Sequence, residues 1–146
     1  MLNNTDYKVI ISEGINNFND AVFIRTEVFV KEQGFKDEFD EIDETAVHIV
    51  IYDNDKPVAT ARAYTENGAE YHAGRVAVMK EYRKNGIGRI LMDCVENEIK
   101  KRGGKEIVIS AQLRAFDFYK KLGYKPYGKE YLDEYCPHIS MKKILV

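Results

Sequence analysis

The stretch from Gly74 to Gly88 contains the residues of this sequence that are best suited to bind a ligand. An apolar, strand-like run leads into a basic turn with Arg83 and Lys84, and two glycines precede an amphipathic run. Gly86 and Gly88 remove side chains where the backbone must come close to a ligand, and they permit unusual dihedral angles. The first amides of a helix lack internal partners and carry partial positive charge. Phosphate groups suit such a turn, although a helix cap with glycines for tight packing gives the same pattern.

Two competing phosphate motifs can be tested on the same stretch. The Walker motif needs Gly-Lys-Ser/Thr, which is absent, and the dinucleotide fingerprint needs a third glycine soon after Gly88, where the chain has Leu91 or its neighbours. The pattern that remains is Arg-x-x-Gly-x-Gly after a predicted strand, formed by Arg83, Gly86 and Gly88. It resembles the acetyl-coenzyme A signature of the GNAT-type N-acetyltransferase superfamily.

Other segments extend this resemblance from about Tyr7 to the C-terminus. Ala115–Tyr124, one strand and one helix after the glycine turn, looks like the family's A-x-x-F-Y-x-K-x-G-F/Y segment. Arg25–Phe35 is similar to a small bacterial ElaA/YjcF-like branch, as are the acidic run, Ala46-Val47-His48 and the segment Pro137–Met141. Many family members carry Asn near the end of the fifth strand, where this chain has Gln112, which offers the same amide on a longer arm.

The resemblance implies direct transfer of an acetyl group from acetyl-coenzyme A to an amine. The backbone of Arg75–Val78 would run beside the pantetheine, and a free amide at or near Val78 would polarise the thioester carbonyl. Tyr119 matches the family's general acid for the departing thiolate, although it also suits the packed face of a short helix. The positions implied in cofactor binding are Val76, Ala77, Val78, Arg83, Lys84, Asn85, Gly86, Ile87, Gly88, Arg89, Gln112, Phe116 and Tyr119.

The general base is left open by the sequence. An amine must lose a proton before it attacks, since a lysine-like ammonium has a pKa near 10.4. The candidates, or a water held by one of them, are Glu32, Glu38, Glu41, His48, Glu70, His72 and His138. We assign Glu32 to the catalytic site with Tyr119, because it follows the first predicted helix, which borders the acceptor pocket in this superfamily. For His48 and His138 the preferred interpretation is a buried structural histidine.

Charge is divided along the chain. Arg83, Lys84 and Arg89 surround the glycine turn, whereas carboxylates gather from Asp37 to Glu44. An acidic run is usually a solvated loop, which we predict for most of this one. A carboxylate-rich loop beside the site would also attract cationic amines. The sequence therefore predicts one region for an anionic cofactor and another for a cationic acceptor.

The elements that must position these residues follow the order β-α-β-β-β-α-β-α-β-β. This order predicts a single-domain α/β (α+β) fold of GNAT type over residues 1–146, with a mixed central sheet flanked by helices. Helices are predicted over Ile15–Lys31, from the glycine turn to Gly103, and over Leu113–Leu122. Strands are predicted over Tyr7–Ser12, Ala46–Tyr52, Pro57–Tyr64, Tyr71–Met79, Ile107–Ile109, Tyr124–Tyr127 and Ile139–Leu145.

Composition excludes several classes of protein. The 146 residues include 22 Lys and Arg against 24 Asp and Glu, interspersed, which disfavours disorder and nucleic-acid binding. No apolar run approaches a membrane span of roughly 18–20 residues, and residues 1–6 lack the features of a signal peptide. Cys94, Cys136 and three histidines show no metal-ligand spacing.

We therefore expect a cytoplasmic enzyme that uses no metal and acts on a small-molecule amine or a peptide amino group. A homodimer is left open, with Tyr131–Ile139 as a stretch that would pack against a partner. Two alternatives stand beside this expectation. One is a non-catalytic acyl-coenzyme A binding or sensor module, and the other is a nucleotide phosphate binder.

Overall fold

Alternating β-branched and polar residues form seven strands that pair into one mixed sheet. The computed structural model describes residues 7–145, so the prediction on residues 1–6 lies outside the described chain. The strands are β1 (Tyr7–Glu13), β2 (Val47–Asp53), β3 (Lys56–Thr65), β4 (Glu70–Val78), β5 (Glu106–Gln112), β6 (Lys125–Asp133) and β7 (Cys136–Ile144). The helices are α1 (Asn19–Arg25), continued by a π-helix (Thr26–Glu32), α2 (Ile87–Lys101) and α3 (Phe116–Lys121). The predicted order of elements is confirmed.

Several boundaries differ from the prediction, most of all in the first helix and in the last two strands. The first helix begins at Asn19 rather than Ile15, because Gly14 and Asn17 adopt positive φ angles of 64° and 56° and hold a turn. A Cβ on Gly14 would lie 2.5 Å from the Glu44 carbonyl oxygen, so this turn requires glycine. The last two strands are longer than predicted and form a hairpin that includes Tyr131–Ile139.

The sheet opens at its centre. Its strand order is β1-β2-β3-β4-β5-β7-β6, and only β4 and β5 pair in parallel. Their pairing covers four positions, from Glu70 opposite Glu106 to Ala73 opposite Ile109. Beyond Ala73, β4 stays paired with β3, and beyond Ile109, β5 stays paired with β7. The two strands therefore separate and leave a gap in the sheet.

An extra residue in β4 marks the start of the gap. Arg75 has a φ of 50°, and the register with β3 shifts there. Such a bulge reverses the side-chain alternation. Ala73 packs with the α2 face before the bulge, whereas Val76 and Val78 pack with that face after it.

Each face of the sheet carries its own helices and core. The α2 face buries the predicted apolar stripe, and its helix residues there are Ile87, Leu91, Met92, Val95 and Ile99. The opposite face buries α1 and its π-helical continuation through Ala21, Ile24, Val28 and Phe29. Within residues 7–145, no helix has the length and apolar character needed to cross a membrane. The gap between β4 and β5 connects the two faces.

Candidate active site

A cleft of about 740 Å³ occupies the gap in the sheet. The predicted site residues that line it are Glu32, Val76, Ala77, Val78, Arg83, Lys84, Gly86, Gly88, Arg89, Gln112 and Tyr119. Three others do not line it: Ile87 is buried in the core, Phe116 packs against that core, and Asn85 is exposed on the turn. The cleft thus brings together residues separated by more than 80 positions in the sequence.

The two glycines of the turn serve different purposes. Gly86 has a φ of 79°, a left-handed conformation that side chains disfavour, and α2 begins at the next residue. A Cβ on Gly88 would lie 3.1 Å from Cζ of Phe118, so Gly88 allows α2 to approach that ring. The packing interpretation therefore applies to Gly88, while Gly86 shapes the turn.

The cations of the turn are not equivalent. Lys84 and Arg89 are exposed in the cleft lining and have no hydrogen-bond or ion-pair partner among residues 7–145. Arg83 instead donates to both carboxylate oxygens of Glu32, at 2.5 and 2.7 Å, and its Nε donates to the Val78 carbonyl at 2.9 Å. The hydrogen bonds from Arg83 lower the pKa of Glu32. Glu32 is thus an ionised carboxylate whose two oxygens are both occupied.

Tyr119 presents a protonated hydroxyl at the cleft. Its side chain is 7% exposed and packs edge-on against Phe118 and Tyr124. Burial raises the pKa of Tyr119 above that of an ordinary tyrosine, so it keeps its proton at neutral pH. No group among the described residues accepts a hydrogen bond from it. The hydroxyl is therefore free to donate to a ligand.

The backbone of β4 provides a second donor. The Met79 N–H donates to the Val58 carbonyl oxygen at 2.8 Å, which makes this a hydrogen-bonded pair of the β3–β4 ladder. Because such pairs alternate along an antiparallel ladder, the N–H of Val78 points away from β3. On that side β5 has already separated. The Val78 amide therefore faces the gap.

The acidic run differs from the solvated loop predicted for it. Glu38 and Asp43 are 5% and 3% exposed. Arg25, itself 1% exposed, donates to Glu38 at 2.9 Å and to Asp43 at 2.8 Å. Arg62 donates to Asp43 at 2.9 Å and to Asp40 at 2.6 Å. The solvated-loop prediction is wrong for Glu38 and Asp43, because two buried arginines fold the run inward.

A third arginine completes the set. Arg75, at the bulge of β4, contacts Glu38 at 3.0 Å and Asp40 at 3.3 Å. Burial raises the pKa of Glu38 despite these arginines. For Asp43 burial acts in the same direction, but hydrogen bonds from Arg25 and Arg62 outweigh it and hold the pKa at about 2. We call this set the arginine–carboxylate cluster; its members are Arg25, Glu38, Asp40, Asp43, Arg62 and Arg75. Its charges offset one another and leave little to attract an amine.

Gln112 and His138 line the cleft from the side of β5 and β7. Gln112 donates to Gln33 at 2.9 Å and accepts from Arg114 at 2.6 Å, so its amide is tied to neighbours on the α1 side. His138 is 5% exposed, and its Nδ1 lies 2.8 Å from the Cys136 carbonyl oxygen. Sequence reasoning missed Gln33, Arg114 and Ser110 as lining residues, since no motif contains them.

The remaining base candidates lie outside the cleft lining. His48 Nε2 is 3.0 Å from the Asp43 carbonyl oxygen in the core. His72 stacks on Tyr64 and lies 3.5 Å from Glu70. Among residues 7–145, no group of three or more His, Cys, Asp or Glu side chains is arranged to hold a metal ion.

Comparisons with known proteins match almost the whole chain. A family model described as "Acetyltransferase (GNAT) domain" matches residues 11–145. An uncharacterised N-acetyltransferase from Bacillus subtilis, YjcF, is 37% identical over 93% of this chain and 99% of its own. A candidate N-acetyltransferase from Lactobacillus plantarum shares the structure with a TM-score of 0.88 at 32% identity, covering 96% of this chain and 99% of its own. Escherichia coli ElaA follows with a TM-score of 0.85 at 25% identity, covering 94% and 99%.

Proposed function

The chain belongs to the GNAT acetyltransferase family and is an N-acetyltransferase, and from that premise we propose that it moves an acetyl group from acetyl-coenzyme A to a primary amine by direct attack. One observation carries the proposal. A single cleft contains free cations at a helix N-terminus, an unpaired strand amide and a buried tyrosine hydroxyl. These groups match three parts of acetyl-coenzyme A, which are its diphosphate, its pantetheine arm and its thioester.

The glycine turn fits the diphosphate. Lys84 and Arg89 supply unpaired positive charge, and the first amides of α2 add the positive end of the helix dipole. Gly86 leaves the turn open, since nothing lies within 4 Å of where its Cβ would be. Arg83 joins this set only by leaving Glu32. Glu32 therefore lines the cleft as the partner of Arg83, and its carboxylate competes with the diphosphate for that guanidinium.

The gap in the sheet fits the pantetheine and the thioester. Because β4 has an unpaired edge beyond Ala73, an amide-bearing arm can pair with it there. The Val78 N–H can then donate to the thioester carbonyl oxygen and stabilise the charge that develops on it. Acetyl-coenzyme A supplies the activated acetyl group.

Tyr119 is the proposed general acid. As the carbon–sulfur bond breaks, the hydroxyl gives its proton to the departing sulfur. A free thiol has a pKa of about 8.5, so a thiolate needs little help to leave, and we expect a benefit near the lower end of the usual 10²- to 10⁴-fold range.

A thiol-release screen tests the proposed function. Acetyl-coenzyme A is offered with polyamines, amino sugars, amino acids and peptides, and free coenzyme A is measured. Release that depends on an amine supports the proposal. Tight binding without release for any amine would instead identify a sensor module, and displacement of acetyl-coenzyme A by ATP would identify a nucleotide binder. If no form of coenzyme A binds, the proposal fails.

Tyr119→Phe tests the acid within the same assay. We expect turnover to fall by about 10²-fold while acetyl-coenzyme A still binds, because only the proton donor is lost. Tyr127→Phe is the matched control, since Tyr127 is exposed on β6 outside the cleft lining. Equal turnover for both variants at every pH would remove Tyr119 from the mechanism.

A further inference from the structure

We propose that His138 is the general base, and that its Nε2 takes the proton from the acceptor amine before the amine attacks. This inference rests on the proposed acetyl transfer and names a catalytic residue for it. Three features of the cleft support it: the tautomer of the His138 ring, the position of His138 in the sheet, and the ion pairs that already occupy the competing carboxylates.

The hydrogen bond at Nδ1 fixes the tautomer of His138. The Cys136 carbonyl oxygen, 2.8 Å away, can only accept, so Nδ1 must carry the hydrogen. In the neutral ring Nε2 then holds a lone pair. No described residue donates a hydrogen bond to Nε2. A buried imidazole at the cleft therefore has one nitrogen ready to accept a proton.

The sheet places His138 opposite Tyr119. Cys136 packs in the α1-side core, and His138, two residues further along β7, lies on the same face. Tyr119 packs in the α2-side core. Both line the one cleft that passes through the gap. His138 can thus accept a proton on the α1 side of the sheet, and Tyr119 can donate one on the α2 side. This arrangement suits an amine that attacks from the α1 side and a thiolate that departs on the α2 side.

The competing bases in the cleft are already engaged. Of the candidates taken from the sequence, only Glu32, Glu38 and His138 line the cleft. Arg83 holds both oxygens of Glu32, and Arg25 and Arg75 contact Glu38. His138 is the one of the three with an unoccupied acceptor atom among the described residues.

The surroundings of the ring hold it in place. Tyr131 stacks on it, with ring centroids 5.9 Å apart, and Tyr131 is itself hydrogen-bonded to Ser110 on β5. Gln112 is the register partner of His138 across β5 and β7. Besides Glu32 and the cations of the glycine turn, the charged groups that line the cleft come from the loop after the π-helix, from β4, from the start of the α3 segment and from the end of β6 with the turn that follows; they are Asp37, Glu38, Arg75, Arg114, Asp133 and Glu134.

The amine loses two protons in each turnover, and Tyr119 gives one proton and regains it. The ammonium gives one proton to Nε2, and the imidazolium later releases it to solvent. The nitrogen lone pair forms a bond to the carbonyl carbon while the carbon–sulfur bond breaks, and the sulfur takes the Tyr119 proton. The nitrogen then releases its second proton through solvent, which restores the Tyr119 hydroxyl. Each turnover yields one amide, one thiol and one proton.

His138→Gln tests the proposal in the thiol-release assay with spermidine as the probe amine. We expect kcat to fall by at least about 10²-fold, with unchanged affinity for acetyl-coenzyme A by calorimetry. The residual rate should rise about tenfold per pH unit, because only amine that is already neutral reacts. The wild-type rate should instead reach a plateau.

Two further variants separate the alternatives. His72→Gln changes a half-exposed histidine outside the cleft lining and should behave as wild type. Glu32→Gln should keep the plateau. If Glu32→Gln loses the plateau and His138→Gln retains it, Glu32 is the base and the proposal is overturned.

Nitrogen NMR of ¹⁵N-histidine-labelled protein gives a readout that needs no turnover. We expect the neutral ring of His138 to carry its hydrogen on Nδ1 and none on Nε2, and the reverse tautomer would overturn the proposal. Failure of the proposed function would look different, since wild-type protein would then release no thiol with any amine of the screen.

Discussion

The glycine turn and the arginine–carboxylate cluster are both rich in charge, yet they use it in opposite ways. In the turn, Lys84 and Arg89 have no partner among the described residues, and they face an open cleft. In the cluster, the carboxylates of Glu38, Asp40 and Asp43 each meet at least one arginine within 3.0 Å. The cations of the turn can bind an anion from solution, whereas the charges of the cluster are already paired with one another.

A run of like charge in a sequence therefore does not show which charges are unpaired and available to bind a ligand. The cluster joins the loop after the π-helix to α1, β3 and β4, because Arg25, Arg62 and Arg75 come from those elements. The cluster thereby connects these elements at the wall of the cleft that Glu38 and Arg75 line. Among residues 7–145, the turn makes one such connection, from Arg83 to Glu32.

Replacing an arginine of the cluster should give the largest effect. Arg25→Met leaves Glu38 and Asp43 buried with one partner fewer each, so we expect a loss of about 3–5 kcal/mol in the free energy of unfolding. Urea unfolding measures it. Lys31→Met, which removes an exposed ion pair with Glu27, is the control and should cost less than about 0.5 kcal/mol. Equal losses would mean that the cluster is no more structural than a surface pair.

Acid should weaken the cluster next. The pKa of Asp43 in the folded protein, about 2, is below its unfolded value near 3.8, so its contribution of about 2 kcal/mol is present above pH 4 and lost as the pH falls through 2. The raised pKa of Glu38 acts in the opposite direction. Unfolding measured from pH 5 to pH 2 should show a shallower loss in Asp43→Asn than in wild type. Parallel curves would contradict the pairing; Asp117→Asn, at an exposed carboxylate, is the control.

Replacing cations of the turn should weaken coenzyme A binding and leave the free energy of unfolding almost unchanged. Lys84→Gln combined with Arg89→Gln should weaken coenzyme A binding roughly fivefold, since two exposed charge contacts are together about 1 kcal/mol. Calorimetry at low and high salt measures this, and the variant should show the smaller salt dependence. Its unfolding free energy should stay within about 0.5 kcal/mol of wild type. An unchanged affinity would show that the turn does not hold the diphosphate.

Removing the ion pair between Arg83 and Glu32 should give the smallest effect. Glu32→Gln removes the charge that holds Arg83, so coenzyme A no longer has to compete with it. We expect binding to tighten by roughly twofold, because half-exposed pairs contribute less than about 1 kcal/mol. Glu27→Gln, on the same π-helix, is the control. Weaker binding in Glu32→Gln would mean that the pair positions Arg83 for the ligand rather than withholding it.

Much of the fold was predictable because its signals are local. Periodic apolar residues and glycine punctuation predicted the order of α1 to α3 and of β1 to β7, and the glycine turn predicted where α2 begins. The partners of the acidic run were not predictable, because no local pattern links the run to Arg25, Arg62 and Arg75, which come from other elements. The same is true of His138, whose free nitrogen depends on a hydrogen bond to Cys136 and on the way β7 lies across β5.

The position of β7 in the sheet has a consequence for synthesis. The last described strand lies not at an edge but between β5 and β6. A nascent chain that has emerged only as far as Asp133 has an unpaired β5 edge, no His138 and no hairpin to close over the cleft. The wall of the cleft that β7 supplies can therefore form only after this strand has been synthesised.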